Sequence, residues 1–303
     1  MALARHQPPA AVADAVLSRL RSGDDPVTGL DVAQVVHACA VLRCGEGGSG
    51  PEDEVCSTAP REAMAALVHA SIKDLQPREV GLCAWALAVT DVAGNAEVIR
   101  ALMARLESPG ARLRDDTLRQ VMQVLLLCSG AGVAMDVDAS LRQAAVQTWM
   151  AVAASDRPGP VTVSLARVLE ALGLNARTKV RVMDGMLVVE AACKREDGAL
   201  LAIEVVWPKS VAVNTGHLLG SYCAKAALLR GQGWAVEYLM AEEWLAMAWP
   251  ARVDAVASRL TRAGFALDPA KVAAVRAEGG GVPGEVWDIE GMEDGKDEDI
   301  ESD

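Results

Sequence analysis

Two absences narrow the reading first. No run of about 18 apolar residues appears in the sequence, so no membrane-spanning helix is expected. No long basic stripe appears either, which argues against a protein that grips nucleic acid chiefly through its phosphates. The seven cysteines, Cys39, Cys44, Cys56, Cys83, Cys128, Cys193 and Cys223, form no CxxC pair and no Cys/His pattern with zinc spacing. Most lie within or beside apolar periodic runs, where a free thiol behaves as a small hydrophobe; reduced cysteines are expected. No Ser-His-Asp or Cys-His set can be assembled, and neither a metal nor a cofactor is expected. Aromatic residues make up only 3% of the chain, and seven of the ten lie between Trp207 and Phe265.

What is present is a large apolar fraction, 51% of 303 residues, enough for one large or two ordinary domains with a sizeable core. Ala, Val and Leu dominate it, and the Ala and Leu content favours closely packed helices. The net charge of −12 is uneven. Residues 285–303 hold ten carboxylates against Lys296, a net −9, whereas residues 161–264 carry a net +2. A slightly basic module thus sits inside an acidic chain. The first residues hold Arg5, Arg19 and Arg21 with Asp14 among them, a poor match to a transit peptide.

Helical periodicity marks residues 11–21, 31–42, 61–75, 77–89, 96–106, 115–128 and 138–154. Pro77 suits a first helical turn, and Asp115 or Asp116 can cap the helix that follows. Residues 32–40 (VAQVVHACA), 80–88 (VGLCAWALA) and 118–126 (LRQVMQVLL) fit one frame at offsets of 48 and 38 residues. That spacing predicts a helical-pair array. The Gly-rich stretch 45–51 lacks the GK[ST] ending of a phosphate loop and reads as a flexible spacer. Residues 155–160 (SDRPGP) read as a linker, residues 1–10 as disordered, and the acidic stretch 279–303 as a disordered tail. The expected organisation is an α-helical repeat region over 11–155 followed by an α/β module over 161–264.

Within the module the periodicity changes. A helix over 164–172 stops at Gly173. Residues 186–192 and 200–207 are apolar runs of strand length, 220–230 has helical spacing, and 233–239 is a third strand candidate. A sheet of at least three strands with the 220–230 helix packed on it follows. Closing helical periodicity runs over 250–263. Each of the first two strands contains one carboxylate, Glu190 and Glu204 respectively. An ionised carboxylate inside a sheet is costly unless it is paired, hydrogen-bonded or metal-bound. The simpler alternative places both near strand ends, facing water.

The order of these pieces resembles the RAP domain, a module of organellar RNA-binding proteins. The resemblance is carried by residues 168–173, Glu190, Ile203-Glu204-Val205-Val206-Trp207-Pro208, the stretch 214–220, Lys225, Gly233–Val236 and Glu243-Trp244, and covers roughly residues 161–250. The sequence around Trp85 is also similar to the helices of octotricopeptide and FASTK-like arrays. The resemblance implies an α+β protein: a helical repeat array followed by a small α/β module of restriction-endonuclease-like fold. It further implies RNA binding in support of RNA processing, stability or translation in a mitochondrion or chloroplast.

Two other functions remain open. A metal-dependent endonuclease would use Glu190 and Glu204, but the third position, two residues past Glu204 on the same strand face, is Val206, which offers no ligand. No metal-dependent hydrolysis is therefore expected. A protein-binding adaptor would use the helical array to dock other RNA-processing factors. For RNA contact the candidates are Trp207, Lys209, Asn214, His217 and Lys225. Trp207 could stack on an unpaired base or simply pack on the sheet. Asn214 and His217 could meet phosphate or remain solvated. Trp85 and Trp149 are read as core, and His37 and His69 as helix-surface or groove residues. The partners expected are single-stranded RNA and other processing proteins, with no membrane.

Overall fold

The computed structural model describes residues 10–22, 27–42, 59–108, 112–155, 157–195 and 197–278. The Gly-rich stretch 45–51, the first nine residues and the acidic tail from 279 lie outside the described residues. The described residues fold as a helical array followed by a small α/β module, an α+β protein. No helix among them is long and apolar enough to cross a membrane.

Seven helices form the array: α1 (Ala10–Ser22), α2 (Gly29–Val41), α3 (Ala59–Ser71), α4 (Pro77–Asp91), α5 (Ala96–Leu106), α6 (Asp115–Gly130) and α7 (Ala139–Ser155). Their starts follow from local chemistry. Thr28 caps α2 in a reciprocal capping box with Asp31, and the bonds from Thr28 hold the Asp31 carboxyl below its ordinary range. Pro77 opens α4, where Glu79 accepts the backbone N–H of Gln76 at 2.7 Å. Asp138 accepts the N–H groups of Ser140 and Leu141 ahead of α7. At α6 the expected aspartate cap is not made. Arg114 holds the cap position without a side-chain bond. Asp115 and Asp116 fall inside the first turn, where their charge complements the helix dipole instead.

The repeat frame read from the sequence corresponds to one layer of the array. Helix α2 packs on α4 and α4 on α6, while α1 packs on α3 behind them. Side chains at equivalent frame positions meet across this layer. His37 and Trp85 have ring centroids 5.0 Å apart, and the Trp85 indole N–H donates to Oε1 of Gln123. One helical turn or more away, Arg78 pairs with Asp116 at 3.6 Å.

The module begins with α8 (Pro160–Ala171), which starts four residues before the expected Ser164 because Pro160 supplies its first turn. Gly173, with φ 84°, ends it; its N–H bonds Glu170 O, and that of Leu174 bonds Leu169 O, a Schellman-type stop. Four strands follow: β1 (Arg177–Val182), β2 (Leu187–Lys194), β3 (Leu200–Val206) and β4 (Trp234–Met240), in that spatial order. The first two pairings are antiparallel; β3 and β4 are parallel, linked by α9 (Gly220–Gly231). The strand β1 is additional to the three expected. Its RTKVRV sequence sets charged residues on a sheet edge, a common way to discourage edge pairing. Three more helices close the module: α10 (Ala241–Ala246), α11 (Trp249–Arg262) and α12 (Pro269–Ala277), so it extends past residue 264 to 277.

Both faces of the sheet are covered. One core cluster joins Leu187, Val189, Ala192 and Ala202 of the sheet, and Leu228 and Leu229 of α9, to the array. The other joins Ala191, Cys193, Leu201, Ile203 and Val205 to α8, α10, α11 and α12. This explains why β3 is almost wholly apolar: it is buried on both sides. Arg252 ties the second layer together. Its Nε donates to Trp244 O and its Nη1 to Ser164 Oγ, each at 3.1 Å. The array is thus fused to the module through α9, which contacts α2, α4 and α6.

Candidate functional site

The site forms where β2 and β3 part. Their ladder runs from Lys194↔Leu200 to Ala191↔Ile203 and goes no further. The next residues along each strand are Glu190 and Glu204. The two carboxylates singled out by their place in apolar runs are thus brought together at a split in the sheet. Below the split, β2 pairs only with β1 and β3 only with β4.

Glu204 is shut off from water and Glu190 is only partly exposed. Flanking register pairs set Lys179 of β1 opposite Glu190, and its Nζ donates to Glu190 Oε1 at 2.7 Å. Lys179 takes a left-handed φ of 49° at that point, an uncommon conformation for a side chain of this size. The Thr162 hydroxyl on α8 donates to Glu190 Oε2, also at 2.7 Å. Glu204 is only 2% exposed. Its Oε2 accepts from Lys225 Nζ of α9 at 2.6 Å, the backbone N–H of Glu190 also lies against the carboxylate, and its Oε1 is shut off from solvent. Burial pushes the Glu204 carboxyl up, and the nearby Lys225 ammonium pulls against that shift without overcoming it.

A cavity of about 350 Å³ opens on this pair, walled by the array on one side and by the sheet and α9 on the other. Gln123 and Trp149 come from the array, Glu190 and Glu204 from the sheet, Tyr222 and Lys225 from α9. The Trp149 indole N–H donates to Met186 O in the β1–β2 turn. Trp149, read from sequence as core, is therefore a half-buried bridge between array and module. The Tyr222 hydroxyl donates to Val205 O at 3.4 Å, and burial raises its phenol.

The five residues expected to contact RNA separate into two places. Four lie on the segment 207–219, which a 3-10 turn (Pro208–Ser210), a Val211↔Leu218 bridge and a Leu219 N–H to Ser210 O bond close into a small hairpin. Lys209 and Asn214 are exposed there, His217 is half-buried, and Trp207 packs against the second core cluster. Lys225 points instead into the cavity. Lys179, Thr162, Gln123 and Trp149 were not legible as site residues, since 28 and 11 residues separate Glu190 from its two partners and no short motif links them.

As to chemistry, the cavity holds two carboxylates, each with its own ammonium partner. Among the described residues no group of three or more His, Cys, Asp or Glu is placed to hold a metal ion, and Val206 is fully buried beside the site without a ligand atom. The arrangement leaves a largely apolar cavity beside two carboxylates that are already ion-paired. Compared with known proteins, the chain matches no family model and no curated protein. Fold and site define a class rather than a family: a short helical-pair array fused to an α/β module, with a ligand-sized cavity at the junction.

Proposed function

We propose that this protein binds single-stranded RNA and supports RNA processing, stability or translation in a mitochondrion or chloroplast. The observation that carries the reading is the in-register row on the inner layer of the array. His37, Trp85 and Gln123 occupy one frame position on α2, α4 and α6, the neighbouring helices of one layer, and Gln34, Leu82 and Gln120 precede them by three residues. Helical repeats that read RNA do so with two or three side chains per repeat directed at unpaired bases, with little need for a strongly basic surface. Gln34 is exposed, and His37, Gln120 and Gln123 are half-buried. The row leads to the cavity at the module, since Gln123 belongs to both. The resemblance of residues 161–250 to the RAP domain supports the same reading, and so do the exposed cations Arg177, Arg181, Lys194, Lys209 and Arg230 on the module.

A second reading, docking of a protein partner, is favoured by one feature of the same layer. Its Arg78 is compensated by Asp116, and burial lowers the pKa of His37, so the row carries little net charge. Nuclease chemistry is not favoured, because both carboxylates of the site are already ion-paired.

The deciding experiment is a fluorescence anisotropy titration of the full chain with unstructured RNA at two salt concentrations. Binding that weakens with salt, with a slope reduced by about one in Lys209→Ala, is expected. Undetectable binding at both concentrations, with retention of a protein partner instead, would transfer the reading to the adaptor.

A further inference from the structure

We propose that the cavity between array and sheet is a docking site for the chain's own segment 285–290 (EVWDIE), which seats Trp287 and Ile289 in it. The inference does not rest on the RNA-binding reading.

Four observations carry it. The first is what the cavity offers. Its walls are chiefly apolar, with Leu127, Trp149, Met186 and Leu228 among them. Its charged groups already have partners, Glu190 with Lys179 and Thr162, and Glu204 with Lys225. A group that enters therefore gains from apolar area removed from water rather than from a new ion pair. The second is the rim. Val152 lines the mouth and is 48% exposed. Arg181 stands opposite Val188 in the β1–β2 ladder, and Val188 belongs to the cavity wall. Cross-strand neighbours share a face, so the exposed Arg181 borders the cavity. Arg119 lies in a shallow groove that adjoins it through Val152, and Arg157 is exposed in the connection from α7 to α8. Against these three stand Asp115 in the groove and Asp184 in the β1–β2 turn, which leaves the rim net positive.

The third observation is the segment itself. Trp287 is the one aromatic residue of the chain beyond Phe265. In an extended chain Trp287 and Ile289 fall on one side, and Asp288 and Glu290 on the other. The apolar side matches the cavity and the acidic side matches the arginines of the rim. The fourth is reach. Helix α12 ends at Ala277, and a series of contacts leads from there to the cavity. Trp249 Nε1 on α11 donates to Val275 O at 2.8 Å. Arg252, one turn further along α11, donates to Ser164 Oγ on α8 at 3.1 Å. Thr162 of α8 donates to Glu190 in the cavity wall at 2.7 Å. The path crosses α11 and α8, about two helix diameters or roughly 20–24 Å. Ten residues lead from Ala277 to Trp287, and fully extended they span about 33–36 Å. The stretch 279–284 (GGGVPG) has the composition of a flexible spacer. Val163 of α8, on this path, is a large apolar residue that stays exposed, like Val152 at its end.

The test uses the full chain with Trp287 replaced by photo-reactive benzoylphenylalanine. An equal mixture of isotopically heavy and light protein is irradiated and the cross-links are mapped. Links from position 287 to the cavity wall, at Trp149 or Leu228, are expected within single copies. The same probe in place of Ser302 should leave those walls unmarked. Val152→Glu sets a carboxylate at the exposed mouth without disturbing a core, and should cut the yield several-fold. A second readout needs no cross-linking. In protein labelled with fluorotryptophan, the fluorine resonance of Trp287 is the one lost in Trp287→Phe. It should lie apart from that of the free amino acid and move onto it in Val152→Glu. Cross-links that join heavy to light copies would give the cavity to a second molecule of this chain. Links confined to other surfaces, or a Trp287 resonance indifferent to Val152→Glu, would give it to a separate partner. Each of these outcomes overturns the proposal.

Discussion

Trp85 on α4 donates its indole N–H to the side-chain oxygen of Gln123 on α6, and the two residues hold the same position of the repeat, 38 residues apart. The bond crosses between neighbouring helices, and Trp85 is only 5% exposed, so water cannot readily replace a lost acceptor. Gln123→Leu would leave a buried indole N–H unpaired and should destabilise the fold by about 1–3 kcal/mol. Trp85→Phe, which deletes the donor and leaves Gln123 facing the cavity, should cost less through hydrogen bonding and more through lost volume. Urea denaturation of both variants, read with the double variant, gives their coupling. A coupling energy near zero would show that the row is a coincidence of packing.

His37 stands at the other end of that row, against the Trp85 ring. Burial lowers its pKa from 6.5. The unfolded chain therefore takes up a proton at higher pH than the folded one does. The stability that the neutral ring contributes is complete above about pH 6.5 and is lost as pH falls through the window beneath it. Denaturant midpoints measured from pH 7.5 down to pH 5 should fall more steeply in the wild type than in His37→Gln. Parallel curves would refute the assignment.

Glu204 gives the opposite sign. Its carboxyl is raised by burial, more than Lys225 lowers it. For this group stability is fullest below the unfolded pKa near 4.5 and declines as pH rises through the higher folded value. Lys225→Met removes the one counter-charge in contact with Glu204 Oε2. Breaking a buried pair in this way costs about 3–5 kcal/mol, whereas replacing both members with apolar groups is often neutral or stabilising. Lys225→Met should thus be strongly destabilised at pH 7.5 and recover part of the loss at pH 5, while Glu204→Leu/Lys225→Met should be near wild type. Thermal melts at the two pH values check both halves.

The contrast between these groups shows what the sequence could and could not disclose. Seven array helices were legible because their apolar spacing and end signals agree, as with Thr28 and Asp31 or Pro77 and Glu79. β2 and β3 were legible as apolar runs. β1 was not, because an edge strand carrying Arg177, Lys179 and Arg181 lacks the apolar pattern. α12 was missed for a similar reason: Val275 is its one buried residue among those described. At the site, Glu190 and Glu204 stood out because a charge within an apolar strand is expensive. Lys179 and Thr162, the partners of Glu190, did not, and Lys225 was singled out as an RNA contact rather than as the partner of Glu204. A lysine on a helix is ordinarily solvated, and only the crossover from β3 to β4 turns Lys225 of α9 toward Glu204. The cavity itself was out of reach of sequence reasoning, since Gln123 and Trp149 reach it from another part of the chain.

That junction can be tested at a single glycine. Gly220, the first residue of α9, is buried against the array. A Cβ placed there would lie 2.4 Å from the backbone oxygen of Ala40, near the end of α2, and 3.2 Å from Cγ1 of Val89 on α4. The first distance is well inside contact, and a backbone oxygen inside a helix has little room to retreat. Only a hydrogen on Cα lets α9 approach so closely. The cost of Gly220→Ala would come from steric overlap rather than from backbone conformation. Overpacking of this kind typically costs about 1–3 kcal/mol, and part of it can be relieved if α9 withdraws from the array. Withdrawal would widen the cavity that α9 shares with Gln123 and Trp149. Gly220→Ala should therefore lower the denaturation midpoint and also raise the exposure of Trp149, seen as a red-shifted indole emission in a variant with the other tryptophans replaced. Gly132→Ala supplies the comparison. It has open space around its Cβ position but a left-handed φ of 68°, so its penalty would be one of backbone strain with no effect on Trp149. A Gly220→Ala protein with wild-type stability would mean that the array and the module do not close on each other in solution as they do here.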